Sequence, residues 1–254
     1  MIGLFRSAVA MLALLTIAIA PSKAQAFEAA YLEIIGFSKD GSRFAFEEYG
    51  SQDGSGFAYS NIYVIDTKRD KWADGSPFRV LLEDVDESAT DIFVDINRAR
   101  ARSKAMAKAA LANITVKGRI AASNAISEVS AKPHTVTFVS EHTPRPIYNP
   151  IKLDIDLLKL PAGERCYDLG ESMGFRLNMT IGKDKPVTKV LHQDKKLPKS
   201  RGCPFDYKFS NIILFPGDQN SNLMVVLLAY TRLGFEGADL RYLAYPFPLD
   251  LPGR

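Results

Sequence analysis

Two cysteines in 254 residues exclude a disulfide-dense scaffold, in which bridges stand in for a core. Repeated apolar runs of ~20 residues are also missing, which excludes a polytopic membrane protein. Charge of one sign is not dominant either: 32 Lys and Arg face 29 Asp and Glu. A strong field for nucleic acid is therefore absent. Histidine occurs three times and tryptophan once, so metal-ligating and indole chemistry have few places to sit. With 46% hydrophobic residues the chain has enough apolar mass to bury a core, unlike a disordered segment.

Sequence motifs for catalysis are missing as well. There is no H-E-x-x-H, no P-loop and no G-x-G-x-x-G fingerprint. Gly54-Ser55-Gly56 is not a nucleophile elbow, because its serine is flanked directly by glycines. His134 and His142, if joined by one strand, stand about 26 Å apart, too far to share a metal ion. His192 stands alone, and no metal site is expected.

What is present begins with an export signal. Arg6 precedes an apolar stretch from Ala8 to Ala20, and Ala24-Gln25-Ala26 has the small-x-small form of a cleavage site. Those 13 residues, apolar but for Thr16, cover about 20 Å, short of a ~30 Å hydrocarbon core. The expectation is a signal peptide over 1–26, a periplasmic or secreted product and no transmembrane segment after cleavage. Removing Arg6 and Lys23 leaves 30 basic and 29 acidic residues, a net charge of +1. In an oxidising compartment Cys166 and Cys203 are expected to pair.

The remainder reads mostly as strands. Short runs rich in aromatic and β-branched residues lie at 31–37, 42–49 and 58–66, separated by Lys39-Asp40-Gly41 and by Ser51-Gln52-Asp53-Gly54-Ser55-Gly56. Further runs fall at 114–120, 135–140, 151–157, 174–181, 186–191, 206–215, 223–231 and 240–245. One helix is expected near 88–113, opened by Ser88-Ala89-Thr90-Asp91, with Ile92, Ile96, Ala99, Ser103, Met106 and Ala110 as its apolar stripe. The fold class is mainly β: antiparallel sheets in a sandwich-like arrangement with this one inserted helix, the alternative being a partial or small β-propeller. Residues 27–254 are expected to form a single domain. The prolines at 144, 146 and 150 mark a possible sub-boundary near 144–150. Gly56-Phe57 and Gly234-Phe235 each sit between two strands, as in two similar hairpins meeting in one sheet.

Charge is segregated in the helical region. Glu83, Asp84, Asp86, Glu87, Asp91 and Asp95 precede Arg98, Arg100, Arg102, Lys104, Lys108, Lys117 and Arg119. This order suits the helix dipole, with acids at the N-terminus and bases towards the C-terminus, and a solvated helix is the favoured reading over a basic docking surface.

The most polar constellation is Glu47, Glu48 and Asp53 beside the glycine-rich hairpin. Paired carboxylates can serve acid-base hydrolysis, or bind Ca²⁺ together with loop carbonyls. Adjacent residues of a strand point to opposite faces, however, so only one of Glu47 and Glu48 can converge with Asp53. Tyr59, Tyr63 and Trp72 lie nearby as a candidate sugar-stacking platform. The candidate binding residues are thus Glu47, Glu48, Asp53, Tyr59 and Trp72.

Gly36-Phe37-Ser38-Lys39-Asp40-Gly41-Ser42-Arg43-Phe44-Ala45-Phe46 and Asn61-Ile62-Tyr63-Val64-Ile65-Asp66 resemble a blade of the periplasmic propeller repeats of TolB-like proteins. The stretch 44–57, Leu197-Pro198-Lys199-Ser200-Arg201-Gly202-Cys203 and Gly234-Phe235-Glu236-Gly237-Ala238-Asp239 resemble an uncharacterised family of predicted secreted bacterial proteins. The second resemblance implies export and carries no catalytic residues. Two function classes follow. One is a non-enzymatic exported protein that binds an unknown protein partner or envelope polymer. The alternative is a periplasmic hydrolase using the loop carboxylates. No cofactor is evident from the sequence, Ca²⁺ being the possible exception, and no nucleic-acid partner is expected.

Overall fold

The computed structural model describes residues 26–84, 91–125, 127, 132–140, 147–161, 166, 171–217, 223–235 and 237–249. The run Leu-Met-Val-Val-Leu-Leu-Ala-Tyr-Thr-Arg-Leu explains the architecture best. It forms strand β14 (Leu223–Leu233), in which every residue from Met224 to Thr231 is buried. Side chains alternate across a strand, so a continuous apolar run needs a packed layer on each side. Met224, Val226, Leu228 and Tyr230 meet one layer, and Val225, Leu227 and Ala229 meet another.

The central sheet that contains β14 has the order β1-β15-β14-β13-β8. Its strands are β1 (Ala26–Ala29), β8 (Arg119–Ser123), β13 (Pro204–Leu214), β14 and β15 (Gly237–Pro248). Pairing is antiparallel except for β1, which runs parallel to β15. On one side lies the four-stranded sheet β12-β11-β10-β9, built from β9 (Thr135–Ser140), β10 (Ile147–Leu160), β11 (Ser172–Ile181) and β12 (Val187–Gln193). It contributes Val136, Phe138, Ile151, Leu153, Phe175 and Leu177 to the first core. On the other side lies the sheet β5-β4-β3-β2-β7, with β6 also paired to β4. Its strands are β2 (Tyr31–Ser38), β3 (Arg43–Ser51), β4 (Ala58–Asp66), β5 (Lys71–Trp72), β6 (Phe78–Leu82) and β7 (Ile114–Val116). Phe37, Phe44, Phe46 and Ile65 from this sheet pack the second core. Each fully buried Phe or Leu contributes about 1.5–3 kcal/mol by leaving water.

The three sheets stack face to face through shared cores, so the sandwich is formed and the propeller alternative is not. A bulge in β13 between Phe209 and Asn211 re-phases the strand, so that Tyr207 and Phe209 share a face with Ile212 and Leu214.

Helix α1 (Phe93–Met106) covers the outer face of the six-stranded sheet and is followed by the short α2 (Lys108–Leu111). The expected single helix near 88–113 is thus shorter and broken at Ala107. Residues 85–90, including the expected Ser88 cap, lie outside the described residues. The Asp91 carboxylate accepts the Phe93 N–H at 2.9 Å and serves the first turn. Ile92 and Met106 are exposed. The buried side runs through Ile96, Ala99, Ser103 and Ala107, so the expected stripe holds at Ile96, Ala99 and Ser103, with Ala107 buried in place of Met106.

Four further expectations are corrected. The run 114–120 is two strands in two different sheets, β7 and β8, divided at Gly118. A Cβ there would stand 2.3 Å from Ile213 Cγ2, so only glycine lets the chain pass between the layers. The strand expected over 151–157 starts earlier, so that Pro150 is within β10, where the register shifts between Ile147 and Ile151 and a missing donor is tolerated; Pro144 and Pro146 lie outside the described residues. The Gly56-Phe57 and Gly234-Phe235 hairpins belong to facing sheets, not to one sheet. The basic residues of α1 do not form a merely solvated face, because Arg100 reaches the sheet below it.

Candidate functional site

Glu47 and Glu48 sit side by side in β3 and, as their parity requires, on opposite faces. Glu47 is wholly buried under α1. Its carboxylate accepts hydrogen bonds from Ser60 Oγ at 2.9 Å and from Arg100 Nε and Nη2 at 2.9 and 3.0 Å. Lys104 Nζ lies 3.4 Å away, and Arg100 also pairs with Glu33. Glu48 points into the space between sheets. It accepts from Asn61 Nδ2 at 3.2 Å, Tyr63 OH at 2.8 Å and the Tyr242 backbone N–H at 3.2 Å. Burial, with the nearby Glu48 charge adding to it, pushes the Tyr63 phenol far up, so it donates throughout the ordinary pH range. Neither carboxylate faces a solvated hairpin.

Asp53 and Tyr59 converge elsewhere, on Glu28 of β1. The Asp53 backbone N–H reaches Glu28 Oε2 at 3.0 Å, and Tyr59 OH reaches Oε1 at 2.9 Å. Arg241 completes this cluster with Nη2 2.5 Å from Glu28 Oε1 and its guanidinium over the Tyr59 ring at 5.0 Å. Gly54, at φ 82°, lies against Phe235, where a Cβ would approach Cδ1 to 2.5 Å. The two hairpin tips therefore meet there. Glu28 carries no motif, and nothing in its neighbourhood marks it in the sequence.

Trp72 has a different setting, at the mouth of a cleft of about 480 Å³. Asp66 builds the turn that leads to it, accepting the N–H groups of Lys68 and Arg69, each at 3.1 Å. Asp70 then takes φ 49°, a left-handed value that Asp tolerates better than most residues. Trp72 is 46% exposed, with Arg79 5.7 Å from its ring centre and Tyr63 6.0 Å away. Of the expected aromatic platform only Trp72 remains open, since Tyr59 and Tyr63 spend their hydroxyls on buried carboxylates.

Across the cleft stands a second buried constellation. Arg201, in the 3₁₀ turn Lys199–Arg201, makes a two-pronged pair with Asp194 at 2.6 and 3.0 Å. Both side chains are almost fully buried. Arg201 Nη1 also donates to Tyr207 OH at 3.2 Å, and Nη2 bonds Tyr245 OH. Asp194 further accepts the Phe175 N–H at 3.0 Å, and His192 Nε2 lies 2.9 Å from its other oxygen. Burial acts to raise the Asp194 pKa, but His192, Arg201 and the Phe175 N–H together outweigh it and hold the carboxyl at about 2. The Tyr207 phenol is pushed up to about 12, mainly by burial.

Cys166 and Cys203 are bonded, with Cα atoms 5.6 Å apart. Cys203 comes two residues after Arg201, so the bridge anchors the turn that carries the guanidinium. Residues 45–247 match the family model described as Predicted secreted protein (DUF2259). The chain belongs to this family. Its members are predicted secreted proteins, and this one is exported, periplasmic or secreted. No curated protein and no solved structure matches it.

Sequence reasoning missed His192, Asp194 and Arg201 as a unit. The available signal was the proximity of Arg201 to Cys203 in a proline-bearing connection, but their pairing is made by the turn that folds 199–201 back on 192–194. No group of three His, Cys, Asp or Glu side chains able to hold a metal ion occurs among the described residues. Among them, too, no helix is long and apolar enough to cross a membrane.

Proposed function

We propose that this exported family member is a non-enzymatic binding protein whose ligand, an envelope polymer or a partner protein, enters the Trp72 cleft. One observation carries the reading. The floor groups of the cleft, His192, Asp194, Arg201 and Tyr245, are engaged by one another, while its mouth presents an exposed indole flanked by Arg79 and Lys71. A paired floor gives shape and rigidity, and an exposed aromatic beside cations gives contact area. We take residues 1–26 as the export signal and 27–254 as one unit, because β8 and β9 pair with β13 and β10 across residues 141–146.

The alternative is a hydrolase using Glu47 or Glu48 with Asp53, alone or with Ca²⁺. It has less support, since Glu47, Glu48 and Asp53 face three different surroundings. Trp72 is the single tryptophan, so its emission reports on this cleft alone. Titration with solubilised peptidoglycan, lipopolysaccharide and periplasmic protein fractions is expected to give a saturable change with at least one of them. Calcium added in the same series is expected to leave emission and Tm unchanged. No emission change with any fraction, or a calcium-dependent rise in Tm, would favour the alternative.

A further inference from the structure

Charge is unevenly placed along this chain, and its positive surplus stands at the Trp72 cleft. Segments 66–79 and 192–201 hold eight Lys and Arg against four Asp, a surplus of four. Residues 27–254 as a whole have a surplus of one, so the rest of that chain is net negative. The two segments are distant in sequence, yet both line the one cleft, with Lys71 and Arg79 on one wall and Pro198 and Ser200 on the other. Sheet stacking brings them together: 66–79 follows β4, and 192–201 follows β12, which belong to the two sheets on either side of the central one.

Most of these charges are not neutralised. Lys68, Lys71 and Arg79 on one rim and Lys195, Lys196 and Lys199 on the other are exposed, and none forms an ion pair among the described residues. The acids of the same segments are fewer and partly spent, since Asp66 pairs with Arg43 and Arg69, and Asp194 with Arg201. Only Asp70 and Asp74 are left against the six cations. Charges of one sign around a concave site focus their potential into it and attract a counter-charge.

Inside the cleft a donor is also unspent. Tyr230 of β14 is 5% exposed and lines the cleft, and its hydroxyl makes no hydrogen bond among the described residues. The unpartnered side-chain atoms sealed from solvent there are Asn124 Nδ2 and Thr231 Oγ1, so the Tyr230 hydroxyl is not sealed. Burial, with the Glu48 charge adding to it, pushes this phenol up and keeps it a donor. A ligand oxygen would satisfy it.

We propose that the Trp72 cleft takes an acidic glycan, with the indole packed on a sugar ring and the two cationic rims holding its carboxylate or phosphate groups. This rests on the reading of that cleft as the binding site and names the polymer. A sugar ring offers a C–H face to the negative face of the indole, and its oxygens accept from Tyr230. A glycan carries a ring at every unit, so a ring meets the indole wherever the charges dock. An acidic peptide segment brings carboxylates without that ring.

The test is retention of the mature protein on immobilised polygalacturonate, phosphomannan, dextran and polyglutamate, with Trp72 emission read for each soluble polymer. Retention on at least one of the two acidic glycans and none on dextran is expected, falling about tenfold between about 0.05 and 0.3 M NaCl. Lys195→Gln/Lys196→Gln/Lys199→Gln is expected to weaken it about tenfold, and Trp72→Ala likewise. Lys108→Gln/Lys183→Gln/Lys185→Gln removes the same charge from exposed positions outside the cleft lining and is expected to leave retention unchanged. Each variant's Tm is read alongside, and Trp72→Phe, which keeps a stacking ring, is expected to bind should Trp72→Ala unfold. Equal loss in the two triple variants, polyglutamate retained as well as the glycans, or retention without a change in Trp72 emission would overturn the proposal. So would dextran retained in place of the acidic glycans, or no polymer retained while an envelope or protein fraction still shifts Trp72 emission. These last two leave the cleft standing with another occupant, whereas no emission change with any polymer or fraction removes the cleft reading as well.

Discussion

Replacing Asp194 with alanine is expected to destabilise the protein by about 3–5 kcal/mol, because it strands the Arg201 guanidinium without its counter-charge in a buried site. Arg201 would keep Tyr207 and Tyr245 as neutral partners and the rings of Phe175 and Tyr207 beneath it, at 5.2 and 5.6 Å. These contacts do not replace a carboxylate. The Phe175 N–H would also lose its acceptor. Removing both charges in Asp194→Leu/Arg201→Met is expected to recover much of the loss, since the desolvation cost then disappears together with the attraction. Urea unfolding of the three proteins measures this, and a single-mutant loss below about 1 kcal/mol would mean that the pair is solvated. The same pair sets an acid limit. Asp194 titrates at about 2 in the folded protein, below the ordinary 3.8, so its stabilisation is complete above about pH 4 and is lost as pH falls through 2. The amount at stake is about 2 kcal/mol, read from the pH dependence of the unfolding midpoint in wild type and absent in Asp194→Ala.

Loss of the disulfide is expected to have a comparable effect. Cys166→Ala/Cys203→Ala opens a loop closed over a separation of 37 positions, worth about 4 kcal/mol of unfolded-chain entropy in the loop-closure model. A consequence in the folded state should accompany it. Cys203 anchors the chain directly after Arg201 and Gly202, so freeing it loosens the turn that presents Arg201 to Asp194. Calorimetry with and without reductant gives the stability change, and the native-state emission of Trp72 reports on the cleft wall. Reduction should also raise the mass by two hydrogens. An unchanged Tm after reduction would show that the bridge contributes nothing measurable.

Much of this fold was legible because local patterns and tertiary demands agree. The turn residues at 39–41 and 51–56 delimit β2, β3 and β4 within one or two positions, and β9 matches its predicted limits of 135–140. The strands that escaped notice are β1, β5 and β6, of four, two and five residues. Segments this short carry too few alternations to stand out, and β1 abuts the export signal. Gly118 shows a different limit: one residue redirects the chain between sheets without altering the hydrophobic pattern around it. The apolar run of β14 was visible, but its meaning depends on layers contributed by distant segments.

The site residues divide in the same way. Parity alone places Glu47 and Glu48 on opposite faces. Their partners could not be read, because Arg100 is 53 positions from Glu47 and Tyr242 is 194 from Glu48. Such pairings are set by how sheets stack and not by any spacing along the chain. Glu47, Glu48 and Asp53 therefore each take separate partners, and of the three aromatic candidates Trp72 is the one exposed at a cleft.

Photo-crosslinking in intact cells with a photoreactive residue at position 72 tests directly whether a ligand enters the Trp72 cleft. Val187, exposed on β12 of a different sheet, provides the control position. A binding cleft at Trp72 predicts a discrete adduct at position 72, none at position 187, and a weaker adduct when Asp194→Ala disrupts the opposing wall. Equal labelling at the two positions, or no adduct at position 72, would contradict it.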